Sequence, residues 1–491
     1  MIIKKSSIKV NYLLNLTRLI LTILVLAVSM PYVSRVLGSE GIGRVEYAYA
    51  IIEYFFLFSG LGIPMYGIRQ IARCRDNIAE LSKVVVELLI ILFVTTLLAY
   101  LALYVLLYTS NYTADFKSTI SFLSIGILLS NFGIEWFYMG IENQRFITIR
   151  HVVIKSIALV LLYLLVNSPA DTYYYGLFII ISTFGGSIFN IIYLRKFIRF
   201  DRATFSDLNI KRHIKPSLTI LLASISISIY MQLDKIMLGS MVSESAVGYY
   251  SVAVKLPRQA LIIVTTMGAV MLPRLSHLLH SSNREEYVRY MEKSLKYILL
   301  VAVPATIGFF MLAREIILVM AGEKFTPAIA TLRISSFLIF IVALAYYIGF
   351  QLLYPAGKER VYTLSVTIAA AVNFIFNLFA IKHLQQDGAA LGTLVAEVTG
   401  LAIMMVVSRR SLVDIGFFKL RNVVYLLAGT AMAGIIYLFS FTGFTPFIHI
   451  IVASALGMFT YIGILYLLGE TTVKEVLLLV VNYRLKGSGK N

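Results

Sequence analysis

A few basic side chains stand inside long apolar runs, where a charge is expensive. Arg18 lies in the first such run, and Lys255 and Arg258 lie about one helical turn apart in a later run, with Pro257 between them. A charge near the centre of a bilayer costs about 2.5 to 3.5 kcal/mol on insertion scales, so each side chain must face protein or water. Arginine can donate two parallel hydrogen bonds to phosphate oxygens, and lysine attracts them as a point charge. The three residues predict a cationic lining for an anion such as a pyrophosphate.

One more basic residue is a candidate for contact with that anion. Arg69 follows the second apolar run, at the expected cytoplasmic mouth of a cavity. The tendency of Lys and Arg to collect on the cytoplasmic side explains Arg69 equally well.

Acidic residues also occur inside the apolar runs. Glu53 and Glu397 are the best placed to bind a coupling proton or sodium ion, and Glu46 lies on the same helical face as Glu53. The alternative is structural, because each base can neutralise a nearby acid, for example Arg258 with Glu53. Export of an anion driven by the membrane potential alone needs no coupling acid, so both driving forces stay open.

Other charged residues lie near the ends of their runs. Asp234 and Lys235 stand near one end of a predicted helix, and Arg333 and Glu87 stand near the ends of two others. We expect these side chains to extend to the membrane interface.

The elements that position these residues follow from composition. Apolar residues make up 59% of the chain and charged residues 14%, with a mean hydropathy of +0.85, which exceeds the range of a water-soluble domain. The sequence predicts an all-α polytopic membrane protein with about fourteen helices, since each span needs about 20 apolar residues. The predicted spans are 10–33, 44–66, 84–107, 119–141, 150–167, 173–194, 216–239, 246–272, 295–313, 329–353, 361–381, 388–407, 422–440 and 447–468.

The net charge of +18 reflects topology. Most Lys and Arg residues fall between spans on one side, which predicts cytoplasmic N- and C-termini. Nucleic-acid binding is therefore not expected. The single cysteine, Cys74, excludes a disulfide within the chain.

The sequence contains no catalytic constellation. His277 and His280 are close in sequence but have no acidic or cysteine partners for a metal. A glycine-rich phosphate loop ending in Lys-Ser or Lys-Thr is missing too. We therefore expect neither an enzyme nor a cofactor.

Segments of the chain recur in order. Leu37-Gly38-Ser39 matches Leu238-Gly239-Ser240, and Gly43 matches Gly248. Further along, 62–84 matches 268–294, and 140–149 matches 355–364. Both copies begin on the cytoplasmic side, so the repeat is parallel, with a pseudo-two-fold axis along the membrane normal. The predicted organisation is an N-lobe of six helices, a C-lobe of six helices, and two extra helices with a cytoplasmic tail, over 1–213, 214–411 and 412–491.

These segments carry a resemblance to a known family. PYVSRVLGSEGIGRVEYA with GLGIPMYGIRQIAR, and QLDKIMLGS with VGYYSVAVKL, resemble the polysaccharide transporter family, the Wzx-type oligosaccharide and O-antigen flippases. That family shares a superfamily with lipid II flippases and multidrug extruders. The resemblance implies alternating access in the bacterial cytoplasmic membrane. The implied substrate is an undecaprenyl-pyrophosphate-linked oligosaccharide, moved to the outer leaflet for O-antigen, capsule or exopolysaccharide synthesis.

The resemblance also implies partners, namely membrane lipid and the polymerase and chain-length regulator of the same pathway. Two alternatives remain. A multidrug or metabolite extruder of the same superfamily predicts a cavity of acids and aromatics, against which Lys255 and Arg258 argue. A membrane-embedded glycan polymerase, or a scaffold for one, needs a sizeable extramembrane loop, and the predicted outward loops are short.

Overall fold

The computed structural model describes residues 8–199, 201–280 and 283–475, and within those ranges the chain forms helices and no strands. The main helices are α1 (Ile8–Gly60), α2 (Ile63–Cys74), α3 (Ile78–Thr109), α4 (Ala114–Leu123), α5 (Ile125–Phe132), α6 (Glu135–Gly140), α7 (Gln144–Leu165), α8 (Thr172–Phe184), α9 (Ser187–Leu194), α10 (Arg202–Phe205), α11 (Lys211–Met241), α12 (Glu244–His280), α13 (Arg284–Met311), α14 (Ala313–Met320), α15 (Ala328–Tyr346), α16 (Glu359–Val407), α17 (Arg409–Asp414), α18 (Val423–Phe439) and α19 (Pro446–Leu467). A π-helix, Tyr347–Leu353, continues α15.

Ten helical stretches of the described residues are long and apolar enough to cross a membrane. Helices α1 and α16 each contain one non-helical residue, Gly38 at φ 68° and Gln385 at φ 50°. Each of these helices covers two predicted spans, and Gly38 adopts its left-handed conformation at little cost because it has no Cβ. Helices α11 and α12 coincide with the predicted spans 216–239 and 246–272. The all-helical prediction is confirmed, and the count of fourteen spans stays a prediction.

The chain divides into two compact units, Met1–Gly248 and Tyr249–Asn491. In the first unit, a buried core joins α2, α3 and α6 through side chains such as Tyr66, Leu88 and Trp136. The start of α3 is fixed by Asn77, whose side chain accepts hydrogen bonds from the amides of Ala79 and Glu80. The lobe boundaries after 213 and 411 stay predictions.

In the second unit, a buried core joins α13, α15, α18 and α19. Tyr347, Tyr425 and Tyr461 are completely buried within it. The hydroxyl groups of Tyr347 and Tyr461 donate hydrogen bonds to backbone carbonyls of α13. Buried tyrosine hydroxyls need such partners, so these bonds fix the depth at which each helix packs.

The outward faces of the long helices are apolar. On α3, the exposed side chains Leu97, Leu98, Leu101, Tyr104 and Val105 recur at helical spacing. An exposed apolar stripe of this length is typical of a helix solvated by lipid.

Candidate functional site

Arg18 lies half-buried in α1 and contacts the start of α7. Its guanidinium donates a hydrogen bond to Gln144 Oε1 at 2.9 Å and another to Asn15. One turn further along α1, the hydroxyl of Thr22 lies 3.3 Å from Nε2 of His151. Both hydrogen-bond partners of Arg18 are neutral amides, so neither bond neutralises the positive charge of the guanidinium.

Two further cations lie in the same unit on α7. The Arg150 side chain is only 8% exposed and contacts Glu135 at 2.7 Å, and it also donates to Asn190. Lys155 donates to Ser182 Oγ at 2.9 Å, again a neutral partner. We call Arg18, Glu135, Gln144, Arg150, His151 and Lys155 the basic cluster.

Local sequence explains how α7 presents these residues. Asn143 caps α7, because its side chain accepts the amide of Phe146, and this places Gln144 at the first helical position beside Arg18. Arg150 needs space against the following helix, and Gly186 provides it. A methyl group at Gly186 would lie 2.7 Å from Arg150 Nε.

The basic cluster has an excess of positive charge. Its one acid, Glu135, contacts Arg150 and has a half-exposed side chain, whereas Arg18 and Lys155 contact amides and a hydroxyl. An anion that displaces these neutral partners keeps the hydrogen bonds and adds Coulomb attraction to the cationic donors. The cluster is therefore suited to bind a phosphate-bearing group.

The predicted acidic residues Glu46 and Glu53 lie elsewhere in the first unit. Glu46 is 3% exposed, contacts Lys235 at 2.9 Å and accepts a hydrogen bond from Tyr175. Glu53 is hydrogen-bonded to Tyr49, whose hydroxyl also contacts Thr183. Seven residues apart on the helical part of α1, the two acids share a helical face, and their role as coupling acids stays a prediction.

The expectation that Asp234, Lys235 and Glu87 extend to water at the membrane interface is wrong, because all three side chains are buried. Lys235 is 9% exposed and Glu87 is 1% exposed. Each has a charged partner inside the protein, Glu46 for Lys235 and Arg212 for Glu87. A buried charge with a well-placed partner need not extend to the interface, and sequence position alone does not reveal the partner.

The remaining predicted residues are distributed over both units. Arg69 is exposed on α2, close enough to Tyr66 to affect it electrostatically. Lys255 and Arg258 are half-buried in the second unit, on α12, which continues through Pro257. Glu397 is half-buried on α16, near Tyr362. The predicted lining that joins Arg18 to Lys255 and Arg258 stays a prediction.

Sequence reasoning missed the α7 part of the basic cluster. Neither Arg150 nor Lys155 is among the site residues predicted from the sequence, although Lys155 lies inside the predicted span 150–167. Lys155 and His151 are four residues apart and so share a helical face. That spacing, inside an apolar run, is the signal that could have found them.

The described residues contain no group of three or more His, Cys, Asp or Glu side chains that could hold a metal ion. His277 is exposed on α12, and the side chain of the predicted neighbour His280 lies outside the described residues.

Residues 8–279, more than half of the chain, match the family described as "Polysaccharide biosynthesis protein". A protein of Escherichia coli (strain K12) named "Putative O-antigen transporter" is 23% identical over 395 residues, covering 78% of this chain and 93% of that protein. A protein of the same name from Shigella dysenteriae is 24% identical, covering 77% of this chain and 93% of that protein.

Several solved structures share the fold. The lipid II flippase MurJ, in an inward closed conformation, matches with a TM-score of 0.60 and 14% identity over 90% of this chain and 99% of that chain. A multidrug resistance MATE family transporter of the MOP superfamily, in an inward-facing conformation, matches with a TM-score of 0.61 and 15% identity over 85% and 98%. The all-helical polytopic fold predicted from the sequence is therefore confirmed.

Proposed function

The chain belongs to the polysaccharide biosynthesis protein family, and from that premise we propose that it flips a lipid-linked oligosaccharide across a bacterial cytoplasmic membrane. The proposed substrate is an undecaprenyl-pyrophosphate-linked repeat unit. The proposed direction is from the cytoplasmic to the outer leaflet, with both termini of the chain in the cytoplasm. The product enters the synthesis of O-antigen, capsule or exopolysaccharide.

The role in membrane transport has support that does not depend on the exact substrate. The family match, the two relatives named as O-antigen transporters and the fold shared with MurJ and MATE transporters support a multi-pass membrane transporter or flippase of polysaccharide units. The protein is accordingly a transporter rather than an enzyme. A polymerase and a chain-length regulator of the same pathway are proposed partners.

The basic cluster is the observation that supports a pyrophosphate-linked substrate. Each phosphate of a diester-linked pyrophosphate keeps one ionised oxygen, so the headgroup carries about two negative charges. Arg18 and Lys155 now donate to neutral groups that a pyrophosphate can replace. Arg150, held by Glu135 and Asn190, supplies a further positive field. We propose that Arg69, Lys255 and Arg258 contact the same headgroup at other stages of an alternating-access cycle.

The experiment is flipping of a fluorescent undecaprenyl-pyrophosphate oligosaccharide in proteoliposomes. We expect Arg18→Ala and Lys155→Ala each to slow flipping by about tenfold to a hundredfold, because a hydrogen bond to a charged group contributes about 1.5 to 3 kcal/mol. Arg145→Ala is the matched control, since Arg145 is exposed on the same helix. It should flip at the wild-type rate.

The outcomes separate the alternatives. Normal flipping by folded Arg18→Ala and Lys155→Ala proteins would remove the basic cluster from the substrate path. In that case the double variant Lys255→Ala with Arg258→Ala tests the predicted lining of the second unit. If the wild-type protein exports organic cations and does not flip the lipid, the extruder interpretation replaces this one.

A further inference from the structure

A second polar cluster of the first unit lies outside the basic cluster and connects α2, α3 and the start of α11. Nδ1 of His213 lies 2.8 Å from the hydroxyl of Tyr66, and Nε2 lies 2.7 Å from Glu87 Oε2. Arg212 contacts the same Glu87 oxygen at 2.7 Å. We call Tyr66, Glu87, Arg212 and His213 the His213 cluster.

The hydrogen bonds of Glu87 identify the protonation state of the cluster. The other carboxylate oxygen of Glu87 accepts the backbone amide of Asn209 at 2.6 Å. Asn209 and Arg212 both donate to Glu87, and the adjacent guanidinium favours the charged form of the carboxylate, so Glu87 is an ionised acceptor. Nε2 of His213 also lies 3.3 Å from Arg212 Nε, and the shorter contact of 2.7 Å with the Glu87 carboxylate assigns a proton to Nε2. In the neutral imidazole Nδ1 then has no proton and accepts the O–H of Tyr66.

His213 is a neutral imidazole in an enclosed position. Its side chain is 1% exposed, and it precedes the predicted span 216–239. Burial lowers the pKa of His213 from its ordinary value, and the adjacent Glu87 opposes that shift only in part. At neutral pH the imidazole is uncharged, and acidification adds a proton at Nδ1.

That proton changes the contacts of the cluster. A protonated Nδ1 is a donor, so the Tyr66 hydroxyl can no longer donate to it and must rotate. The new charge also lies beside Arg212, and Arg69 and Arg73 affect Tyr66 from α2. Glu87 is the acid that faces the imidazole, and its carboxylate already forms an ion pair with Arg212. A buried imidazolium beside other cations is unfavourable. Protonation therefore favours a conformation in which His213 is exposed to water.

The start of α11 is the element that such a change would move. Besides the His213 cluster, α11 is held where it meets the break between α1 and α2. A methyl group at Gly62 would lie 2.5 Å from the carbonyl oxygen of Ser217. Such close backbone packing requires the first turns of α11 to remain in contact with the start of α2.

We propose that His213 is a proton-binding site and that its protonation releases the start of α11 from α2 and α3. On this proposal the proton is the coupling ion of transport and His213 carries it, in place of Glu46, Glu53 and Glu397. This consequence for transport rests on the proposed function. The protonation and the release of α11 do not.

The chain contains its own reporter for the release. Trp136 is the single tryptophan, is 5% exposed and packs on α2. A methyl group at Gly67, next to Tyr66, would lie 2.7 Å from the Trp136 ring. The tryptophan emission of the purified full-length protein, without substrate, therefore reports on the surroundings of α2.

The test is a titration of that emission from pH 8 to pH 5. We expect one reversible transition with a midpoint below about pH 6.5, the ordinary value for histidine. His213→Gln should abolish it. Glu87→Gln should move the midpoint down by about one pH unit or more, because it removes the charge that favours the protonated imidazole. His277→Gln, which changes an exposed histidine of the other unit, should leave the transition unchanged.

A measurement on the unmutated protein guards against variants that fail to fold. Hydrogen–deuterium exchange at the imidazole C2 position, read by mass spectrometry, gives the pKa of His213 directly. A pKa below 6.5 that coincides with the tryptophan transition supports the proposal. An ordinary pKa, or a tryptophan transition that survives in His213→Gln, would overturn it. Absence of lipid flipping by the wild-type protein would instead overturn the proposed function and leave the proton site standing.

Discussion

At the scale of single residues, the first unit keeps charges in its interior by pairing them. Glu46 and Lys235 are both almost fully buried and lie 2.9 Å apart, and Tyr175 donates a further hydrogen bond to Glu46. A buried pair adds little net stability over an apolar pair, because desolvation offsets the attraction. Removal of one partner is far more costly, since the other charge is then left in the apolar interior.

This asymmetry gives a prediction for thermal unfolding in detergent. Lys235→Met should destabilise the protein by about 3 to 5 kcal/mol, and the double variant Lys235→Met with Glu46→Gln should recover most of that loss. Lys293→Met breaks an ion pair whose partners are about half exposed, so it should cost less than about 1 kcal/mol. Equal midpoints for the Lys235→Met single and double variants would show that Glu46 does not depend on Lys235.

At the scale of elements, the aligned glycines of the internal repeat lie against each other. A methyl group at Gly43 would lie 1.7 Å from the carbonyl oxygen of Glu244, and one at Gly248 would lie 2.0 Å from that of Ser39. Arg44 and Glu244 form an ion pair of 2.9 Å across the same crossing. The backbones of α1 and α12 thus approach as closely as only glycine allows.

Alanine at either glycine should force these helices apart. Because the opposing atoms are backbone, no side chain can move aside, and we expect Gly43→Ala and Gly248→Ala each to cost about 1 to 3 kcal/mol or more. Gly434→Ala is the matched control, since its added methyl group meets nothing within 4 Å. In the middle of α18 it should be neutral or stabilising by up to about 1 kcal/mol. Similar unfolding midpoints for all three variants would contradict the close crossing.

At the scale of the whole molecule, sequence patterns predicted the elements better than the contacts between them. Apolar runs predicted long helices such as α3, α7 and α19, because a span needs its own run of residues. They gave no signal for short helices such as α14 and α17. The break at Ile134, where φ is positive, falls within the predicted span 119–141 and has no apolar signal. Arg18 was recognisable as a buried charge. Its neighbours Arg150 and Lys155, and the partners of Glu87, depend on helices distant in sequence, whose packing no local pattern encodes.

The driving force is a property of the whole molecule, and it combines the proposed substrate with the proposed proton site. A dianion moving outward gains about 4.6 kcal/mol per 100 mV, inside negative, provided the basic cluster does not move with it. One proton moving inward through His213 adds about 2.3 kcal/mol per 100 mV and about 1.4 kcal/mol per unit of pH gradient. The two sources can be separated, because only the second requires His213.

We therefore expect proteoliposomes to flip the labelled lipid under either force alone. Collapse of the potential at a constant pH gradient should slow wild-type flipping, and collapse of the pH gradient at a constant potential should slow it less. In His213→Gln the pH-gradient component should vanish while potential-driven flipping persists, since the basic cluster is intact. Unchanged flipping after collapse of the potential would reject export of a dianion through a stationary site. A pH-gradient component that survives in His213→Gln would move the coupling proton back to Glu53 or Glu397.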